Sequence, residues 1–288
     1  MTTKAARQIT RASTTAQVAA HVVRCMEIWS GNQAVESAAS TPGLELYVYS
    51  RRYRGEKLGS DVHYISLCAG GVVTRFFLAD VSGHQPAADG TDGAFRTMIR
   101  RRINAKDQNR LVHDLNRELA RLHEEGQSAT AVVATYLSHR NRFILCNAGH
   151  PRPLWYRSKL GRWSYVNDEI VADSSVCDAL ASNYDFRLPV ADDDVLVFYT
   201  DGLTKARNGN GEPLGESDLL RIVAGLPTYD VQALSRGIVA AVTGSSGDRA
   251  IDDDATILVV RFSAACRRYP GLWERLRGYA RLLGLKAT

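Results

Sequence analysis

Apolar and polar side chains alternate with a period of two along several short segments, which is the pattern of half-buried β-strands. Residues 44–49, with the sequence Leu-Glu-Leu-Tyr-Val-Tyr, show it most clearly. Alternation or short apolar runs predict further strands at residues 61–69, 72–79, 130–137, 142–146, 154–156, 163–166, 186–188, 195–199 and 256–262. Strands therefore dominate the predicted structure.

Other segments repeat their apolar residues every three or four positions and predict amphipathic helices. Two such segments separate the early strands from the middle ones; they carry Phe95, Met98, Ile99 and Ile103, and then Leu111, Leu115, Leu119 and Leu122. A second pair is predicted at residues 217–224 and 231–242. Strands that occur in runs, interrupted by two helical hairpins, favour an α+β fold with mainly antiparallel sheets. Two hairpins can cover two sheet faces, so we expect a four-layer αββα sandwich.

The two ends of the chain show a different pattern from the middle. The spacing of Val18, Val22, Met26 and Trp29 predicts a helix up to residue 29, and the Ser, Gly and Ala content of residues 30–43 indicates a linker. Residues 271–286 predict a basic amphipathic helix, which suits docking on its own domain or on a twin subunit better than a partner or membrane surface. The predicted division is residues 1–43, a domain at 44–263, and 264–288.

Composition narrows the class of protein. The chain has 288 residues, 45% of them apolar, and 36 Lys and Arg against 31 Asp and Glu, a net charge of +5. This apolar content excludes a disordered chain. No uncharged apolar stretch reaches the length of about 18 residues that a membrane helix needs, and no apolar signal segment is visible, so a cytoplasmic protein is expected. The mild basic excess does not indicate nucleic-acid binding.

Four aspartates stand at the ends of apolar strands. Asp80 ends the run Phe-Phe-Leu-Ala of residues 76–79, and Asp201 follows the run 195–200. Asp61 opens a predicted strand, and the acids 252–254 precede the last one. If these rims coincide, several carboxylates converge where water is scarce, and each raises the pKa of the others. A divalent cation relieves that conflict, and a set of oxygen ligands favours Mg²⁺ or Mn²⁺.

Four segments resemble the signature blocks of the SpoIIE/RsbU-type serine phosphatases, a bacterial branch of the metal-dependent PP2C-like protein phosphatases. The blocks are Leu-Ala-Asp-Val-Ser-Gly-His at 78–84, Asn-Ala-Gly-His-Pro at 147–151, Phe-Tyr-Thr-Asp-Gly-Leu-Thr at 198–204, and Asp-Asp-Ala-Thr at 253–256. They occur in family order across residues 44–262. The resemblance implies an αββα sandwich with two Mn²⁺ or Mg²⁺ ions between its sheets.

The resemblance also implies an activity and a ligand set. Water activated by the two ions would attack the phosphorus of phosphoserine or phosphothreonine on a regulatory protein, in some relatives a STAS-domain anti-anti-sigma factor. By position, Asp80 resembles the bridging ligand, Val81 the residue that offers its backbone carbonyl, Asp61 the first-strand ligand and Asp201 the late-strand ligand. Asp253 resembles the last ligand, although periodicity alone does not distinguish it from Asp252 or Asp254.

Some residues depart from the family pattern. Gly59-Ser60-Asp61 replaces the usual Gly-Gly-Asp, Tyr64 stands where an acid is often found, and Gln85 replaces a glycine. These changes keep the four main ligands but leave a third metal site in doubt. His84 is a candidate general acid, against the alternative of a loop histidine at the mouth of the site. A homodimer through either terminal helix is a further expectation.

Three alternatives to this phosphatase compete with it. The sequence Cys146-x-x-Gly-x-x-Arg152 fits the loop of cysteine-dependent phosphatases, but Pro151 and Pro153 prevent the helix that such a loop requires. A phosphatase-like scaffold without activity would be favoured by loss of a ligand, and all four aspartates are present. A metal-dependent nuclease would need a basic stripe beside the acids, and none is evident.

Overall fold

The structure is a computed structural model that describes residues 20–23, 28–31, 35–53, 59–82, 97–99, 101–103, 108–124, 128–166, 186–207, 210–244 and 251–266. Within these residues, thirteen strands form two sheets. Neighbouring strands are antiparallel except for one short parallel pair, in which residues 21–22 pair with residues 39–40. The mainly antiparallel α+β arrangement that the pattern predicts is confirmed.

The first sheet has seven strands, in the spatial order β1 (His21–Val22), β3 (Val35–Thr41), β4 (Leu44–Arg51), β13 (Ala255–Phe262), β12 (Val195–Tyr199), β9 (Leu154–Arg157) and β10 (Arg162–Tyr165). The second has six, in the order β11 (Phe186–Leu188), β8 (Arg142–Ala148), β7 (Ser128–Leu137), β6 (Val73–Ser82), β5 (Asp61–Cys68) and β2 (Ile28–Gly31). Each strand predicted between residues 44 and 262 is present, with bounds shifted by up to three residues.

Helices cover the outer faces of both sheets. The described helices are α1 (Gln108–Glu124), α2 (Gly202–Lys205), α3 (Gly215–Ala224) and α4 (Val231–Thr243), and residues 97–99 and 101–102 are also helical. α4 begins at Asp230, whose carboxylate accepts hydrogen bonds from the amides of Gln232 and Ala233, a normal N-cap. The two predicted helical pairs are therefore present.

Three buried clusters of apolar residues define the four layers. Side chains from both sheets, among them Phe76, Phe143 and Phe198, fill the space between the sheets. Leu219 of α3 and Leu234 of α4 pack on the outer face of the seven-stranded sheet. On the outer face of the six-stranded sheet, the packing residues are Ile99, Ile103, Leu111 and Leu115. This is the αββα sandwich expected from the sequence.

The N-terminal prediction is wrong where it can be compared. Residues 21–22 and 28–29, predicted as part of a helix, lie in the strands β1 and β2, and residues 30–31 and 35–41 of the predicted linker lie in β2 and β3. β3 pairs with β4 along its whole length, from Val35 with Ser50 to Thr41 with Leu44. Backbone hydrogen bonds to partners distant in sequence override the local preference of these residues. The predicted C-terminal helix at 271–286 lies outside the described residues.

Candidate metal centre

Asp61 and Asp80 face each other at one end of the six-stranded sheet. Asp61 is the first residue of β5, and the antiparallel register pairs it directly with Asp80 of β6. Alternation along both strands directs the two side chains to the inner face, toward the other sheet, because Ile65 and Leu78 on the same phase lie in the cluster between the sheets. Asp61 is buried, and Asp80 is half-buried.

The seven-stranded sheet brings its acids to the same end of the sandwich. Thr200 and Asp201 follow β12, and residues 253–254 precede β13. The hydroxyl of Thr200 donates to Oδ2 of Asp61 at 2.7 Å, so the ends of β12 and β5 are in direct contact across the two sheets. The same hydroxyl accepts the amide of Thr256 at 2.9 Å. These bonds fix Asp61 against the strand ends that carry the other acids.

Asp254 holds a neighbouring loop rather than facing the centre freely. Its carboxylate accepts the amide of Tyr53 at 2.7 Å, the amide of Ser60 at 2.5 Å and the hydroxyl of Ser60 at 3.0 Å. Three donors already satisfy this buried carboxylate. Asp254 therefore positions the residue before Asp61, whereas Asp253 accepts the amide of Asp254 on Oδ1 at 2.9 Å and contacts Lys205 through Oδ2.

Gly202 allows the start of α2 to lie directly on the backbone of Asp254. A Cβ atom at this position would be 2.0 Å from the carbonyl oxygen of Asp254, far inside van der Waals contact. Only glycine fits there without movement of one segment. The close approach sets the distance between Asp201, which precedes this glycine, and Asp253.

Lys205 links two of the acids. Its Nζ lies 2.8 Å from Oδ2 of Asp201, four residues earlier, and 3.2 Å from Oδ2 of Asp253. The hydrogen bond to Asp201 is the main cause that raises the pKa of Lys205 above its usual value, with the negative charge of Asp253 acting in the same direction. The ammonium group therefore stays charged and shared between these carboxylates.

The acids influence one another electrostatically, as the sequence predicts for converging carboxylates. Burial, followed by the charge of Asp80, raises the pKa of Asp61 well above its usual value. Burial, followed by the charge of Asp201 and with a contribution from Asp253, raises the pKa of Asp80 to about 6. Negative charge is thus costly at this edge of the sandwich, which is the situation that a bound cation relieves.

The donor set fits a hard divalent cation. Oδ1 of Asp80 and Oδ1 of Asp201 are buried and accept no hydrogen bond within the described structure. Unsatisfied carboxylate oxygens of this kind are the ligands that Mg²⁺ and Mn²⁺ prefer. In the described residues no group of three or more His, Cys, Asp and Glu side chains is already arranged to hold a metal ion, and Lys205 stands between Asp201 and Asp253.

The structure thus places the predicted ligands Asp61, Asp80, Asp201 and Asp253 at one end of the sandwich. Val81 lies beside Asp80 in β6, where its amide donates to the carbonyl oxygen of Ser60 at 3.1 Å. His84 lies outside the described residues. Their roles as ligands and general acid stay predictions.

Sequence reasoning did not find three polar residues of this centre, namely Ser60, Thr200 and Lys205. Thr200 had a usable signal, because it continues the inward-facing phase of β12 after Leu196 and Phe198 as a polar residue. Lys205 also had one, since a basic residue four positions after Asp201 in a helix can reach its carboxylate.

Cys146 and His150 are buried residues of β8 and of the turn that follows it, and their contacts are structural. Cys146 is buried within β8, and β9 begins at Leu154, so no helix starts beside Arg152. The backbone of His150 is held by the side chain of Asn147, and its Nδ1 lies 3.0 Å from the hydroxyl of Thr130. Burial lowers the pKa of His150 to about 3, so its ring is neutral. The structural interpretation of this motif agrees with these contacts.

Comparison with known families gives one match that covers more than half of the chain. The sequence model of the family described as Stage II sporulation protein E (SpoIIE) matches residues 71–263. A comparison with curated proteins gives no match. None of the helices in the described part of the chain is long and apolar enough to cross a membrane.

Solved structures with a similar fold are PP2C-type phosphatase domains and their relatives. The RsbU and RsbW domains of a Mycobacterium tuberculosis protein superpose with a TM-score of 0.63 at 22% identity, over 82% of this chain and 64% of that one. RsbX in complex with magnesium gives 0.55 at 14%, over 80% and 100%. The PP2C domain of SpoIIE with a regulatory fragment, from Bacillus subtilis, gives 0.57 at 16%, over 83% and 71%. At these identities, the likeness shows the fold.

Proposed function

Since the chain belongs to the SpoIIE family of PP2C-type serine/threonine phosphatases, we propose that it hydrolyses phosphoserine or phosphothreonine on a regulatory protein. One observation carries the proposal: Asp61 and Asp80 of one sheet meet the strand ends of the other sheet that bear Asp201 and Asp253. Carboxylates gathered at a single edge suit metal-assisted attack on a phosphate ester.

We propose that Asp61, Asp80, Asp201 and Asp253, together with the carbonyl oxygen of Val81, hold two Mg²⁺ or Mn²⁺ ions. The free Oδ1 atoms of Asp80 and Asp201 support this assignment. When bound, such ions would supply an activated water at neutral pH and would neutralise the charge of the phosphate oxygens, which is the chemistry that one-step hydrolysis without a covalent enzyme intermediate requires.

The residues around these acids would act by holding them in place. The hydroxyl of Thr200 keeps Asp61 oriented toward the centre. Asp254 fixes Ser60 through the amide and the hydroxyl of that residue, and burial of Asp61 and Thr200 keeps water away from the inner side. His84 is the candidate that would protonate the leaving serine oxygen.

The nature of the phosphoprotein follows only from the family resemblance. A STAS-domain anti-anti-sigma factor is the partner that this resemblance favours. A cytoplasmic location and a homodimer formed through a terminal helix stay predictions. The alternative of an inactive scaffold would be favoured by loss of a carboxylate, and all four are retained.

The test is a phosphatase assay on purified protein with phosphorylated casein and a phosphorylated STAS protein as substrates, in Mn²⁺. Asp80→Asn and Asp201→Asn are expected to lower the rate about 100-fold or more, because each removes a charge that stabilises the transition state through the ions. Asp252→Asn is the matched control, since Asp252 is exposed and pairs with Arg207. Full activity of both site variants would contradict the ligand assignment.

A further inference from the structure

Lys205 is a cation inside the proposed metal centre. Its Nζ contacts Oδ2 of Asp201 at 2.8 Å and Oδ2 of Asp253 at 3.2 Å. These are two of the acids to which the divalent ions are assigned above. They come from the two segments that meet where Gly202 lies against the backbone of Asp254. One ammonium group therefore takes the place between two carboxylates where a shared metal ion would bind.

The geometry of α2 explains this placement. Asp201 and Lys205 are four residues apart, so they lie on the same face of the helix, and the amide of Lys205 donates to the carbonyl oxygen of Asp201 at 2.8 Å. The side chain of Lys205 is 58% exposed. Its stem is therefore not fixed by packing, and the ammonium can leave toward solvent while the backbone stays in place.

We infer that the ammonium group of Lys205 is an internal counter-ion that holds Asp201 and Asp253 until a divalent cation displaces it. This inference rests on the proposed function, because it assigns the same two acids to a metal. Binding of the ion that takes the place of this ammonium group then breaks two ion pairs of the protein. Metal affinity is consequently lower than the acids alone would give, and occupancy depends on the concentration of free metal.

The chain offers a matched control for the charge of Lys205. Arg207 is two residues further along, and its side chain is also 58% exposed. It pairs with Asp252, the neighbour of Asp253, at 3.4 Å. Removal of Arg207 changes the net charge by the same amount near the same place, but it leaves the carboxylates of Asp201 and Asp253 untouched.

The experiment measures Mn²⁺ binding by isothermal titration calorimetry and by electron paramagnetic resonance of free Mn²⁺, in metal-stripped full-length protein. Lys205→Gln is expected to bind Mn²⁺ about fivefold more tightly than the wild type, since the two exposed ion pairs no longer have to be broken. Arg207→Gln is expected to stay within about twofold of the wild type, because only a screened, more distant charge is lost.

Thermal unfolding gives a second readout, in which the difference between Lys205→Gln and the wild type depends on the presence of metal. Without metal, Lys205→Gln is expected to unfold at a lower temperature than the wild type, because Asp201 and Asp253 lose their counter-ion. Saturating Mn²⁺ is expected to raise its midpoint by more than it raises that of the wild type, since tighter binding to the folded state stabilises it more. If Lys205 acted in folding alone, Lys205→Gln would have a midpoint lower than that of the wild type by the same amount with and without Mn²⁺.

The outcomes separate this inference from the proposed function when Asp201→Asn is measured alongside. Equal or weaker Mn²⁺ binding by Lys205→Gln, with binding lost in Asp201→Asn, overturns the counter-ion and leaves the metal site in place. Absence of Mn²⁺ binding in both the wild type and Lys205→Gln overturns the metal site and the inference with it. Binding by Lys205→Gln where the wild type binds none supports both.

Discussion

Asp61 and Asp80 lie directly opposite each other on neighbouring antiparallel strands, with both side chains directed between the two sheets. Cross-strand like charges at such a position destabilise a sheet. Their placement at the rim of an apolar core makes the repulsion larger than it would be in water. The electrostatic repulsion between Asp61 and Asp80 therefore destabilises the fold at the place where the proposed chemistry needs negative charge.

Asp80→Asn is expected to make the metal-free protein more stable while it removes phosphatase activity. The pKa of Asp80 is raised from 3.8 to about 6, so the folded state holds the proton more tightly than the unfolded state. Stability from this group therefore falls as pH rises from 3.8 to about 6 and stays low above that. Asparagine carries no charge at any pH, so the Asp80→Asn variant does not lose stability in this pH range.

The gain in the free energy of unfolding should be about 3 kcal/mol at pH 8 and close to zero at pH 3.5, as measured by urea denaturation in EDTA. Asp192→Asn is the control, since Asp192 is exposed in a turn. A stability gain of equal size at both pH values would show that the effect is not the charge of Asp80.

Gly202→Ala is expected to destabilise the protein and to weaken Mn²⁺ binding. The added Cβ would lie 2.0 Å from the carbonyl oxygen of Asp254, so α2 or the start of β13 must move. Forced displacements of this kind cost about 1–3 kcal/mol, and here they separate Asp201 from Asp253. Gly225→Ala is the control, because its Cβ would meet the nearest atom at an ordinary 3.5 Å.

Urea denaturation and Mn²⁺ titration of both glycine variants check this expectation. If Gly202→Ala keeps the stability and the Mn²⁺ affinity of the wild type, the close approach of α2 to Asp254 does not determine the geometry of the centre.

His150→Gln is expected to flatten the loss of stability on acidification. Burial lowers the pKa of His150 from 6.5 to about 3, so below pH 6.5 the unfolded state takes up the proton first. Stability from this group is complete above pH 6.5 and is lost as pH falls toward 3. Between pH 7 and pH 5, His150 lowers the free energy of unfolding by about 2 kcal/mol. The His150→Gln variant should not show this part of the decrease.

The measurement is the difference in unfolding free energy between pH 7 and pH 5. His113→Gln is the control, since His113 is exposed on α1 and its substitution should leave the difference unchanged. An identical pH dependence in His150→Gln and the wild type would contradict a neutral, buried His150.

Thiol alkylation is expected to leave the phosphatase activity of the folded protein unchanged, whereas EDTA removes it and Mn²⁺ restores it. Cys68 and Cys146 are buried within strands, and no cysteine is assigned to the reaction. Cys146→Ser should keep at least about half of the wild-type rate, because the thiol takes no part in the proposed reaction and Cys146 lies within β8, away from the four acids. Activity lost to iodoacetamide but retained in EDTA would instead support a cysteine nucleophile.

The strands from residue 44 onward could be predicted because their burial is recorded in the local sequence, as alternation in residues 44–49 and as short apolar runs in β5, β12 and β13, which are buried on both faces. β1 and β2 could not, since the apolar spacing around residues 21–31 also fits a helix and the deciding partners are β3 and β5. Pairing with a distant strand leaves no local trace.

The candidate site divides in a similar way. Asp61, Asp80, Asp201 and Asp253 could be selected because each stands at the end of an apolar strand. The bond from Thr200 to Asp61 could not be predicted, since it depends on the distance between two sheets rather than on either strand. The same holds for the position of Lys205 between two acids of different segments.

The hydrogen bond between Thr200 and Asp61 joins the seven-stranded sheet to the six-stranded sheet. Each sheet supplies two of the four proposed aspartate ligands, so neither pair is complete without the other. A displacement of one layer relative to the other would therefore change the spacing of the acids, so the contacts that keep the two sheets in register also preserve the geometry of the proposed centre.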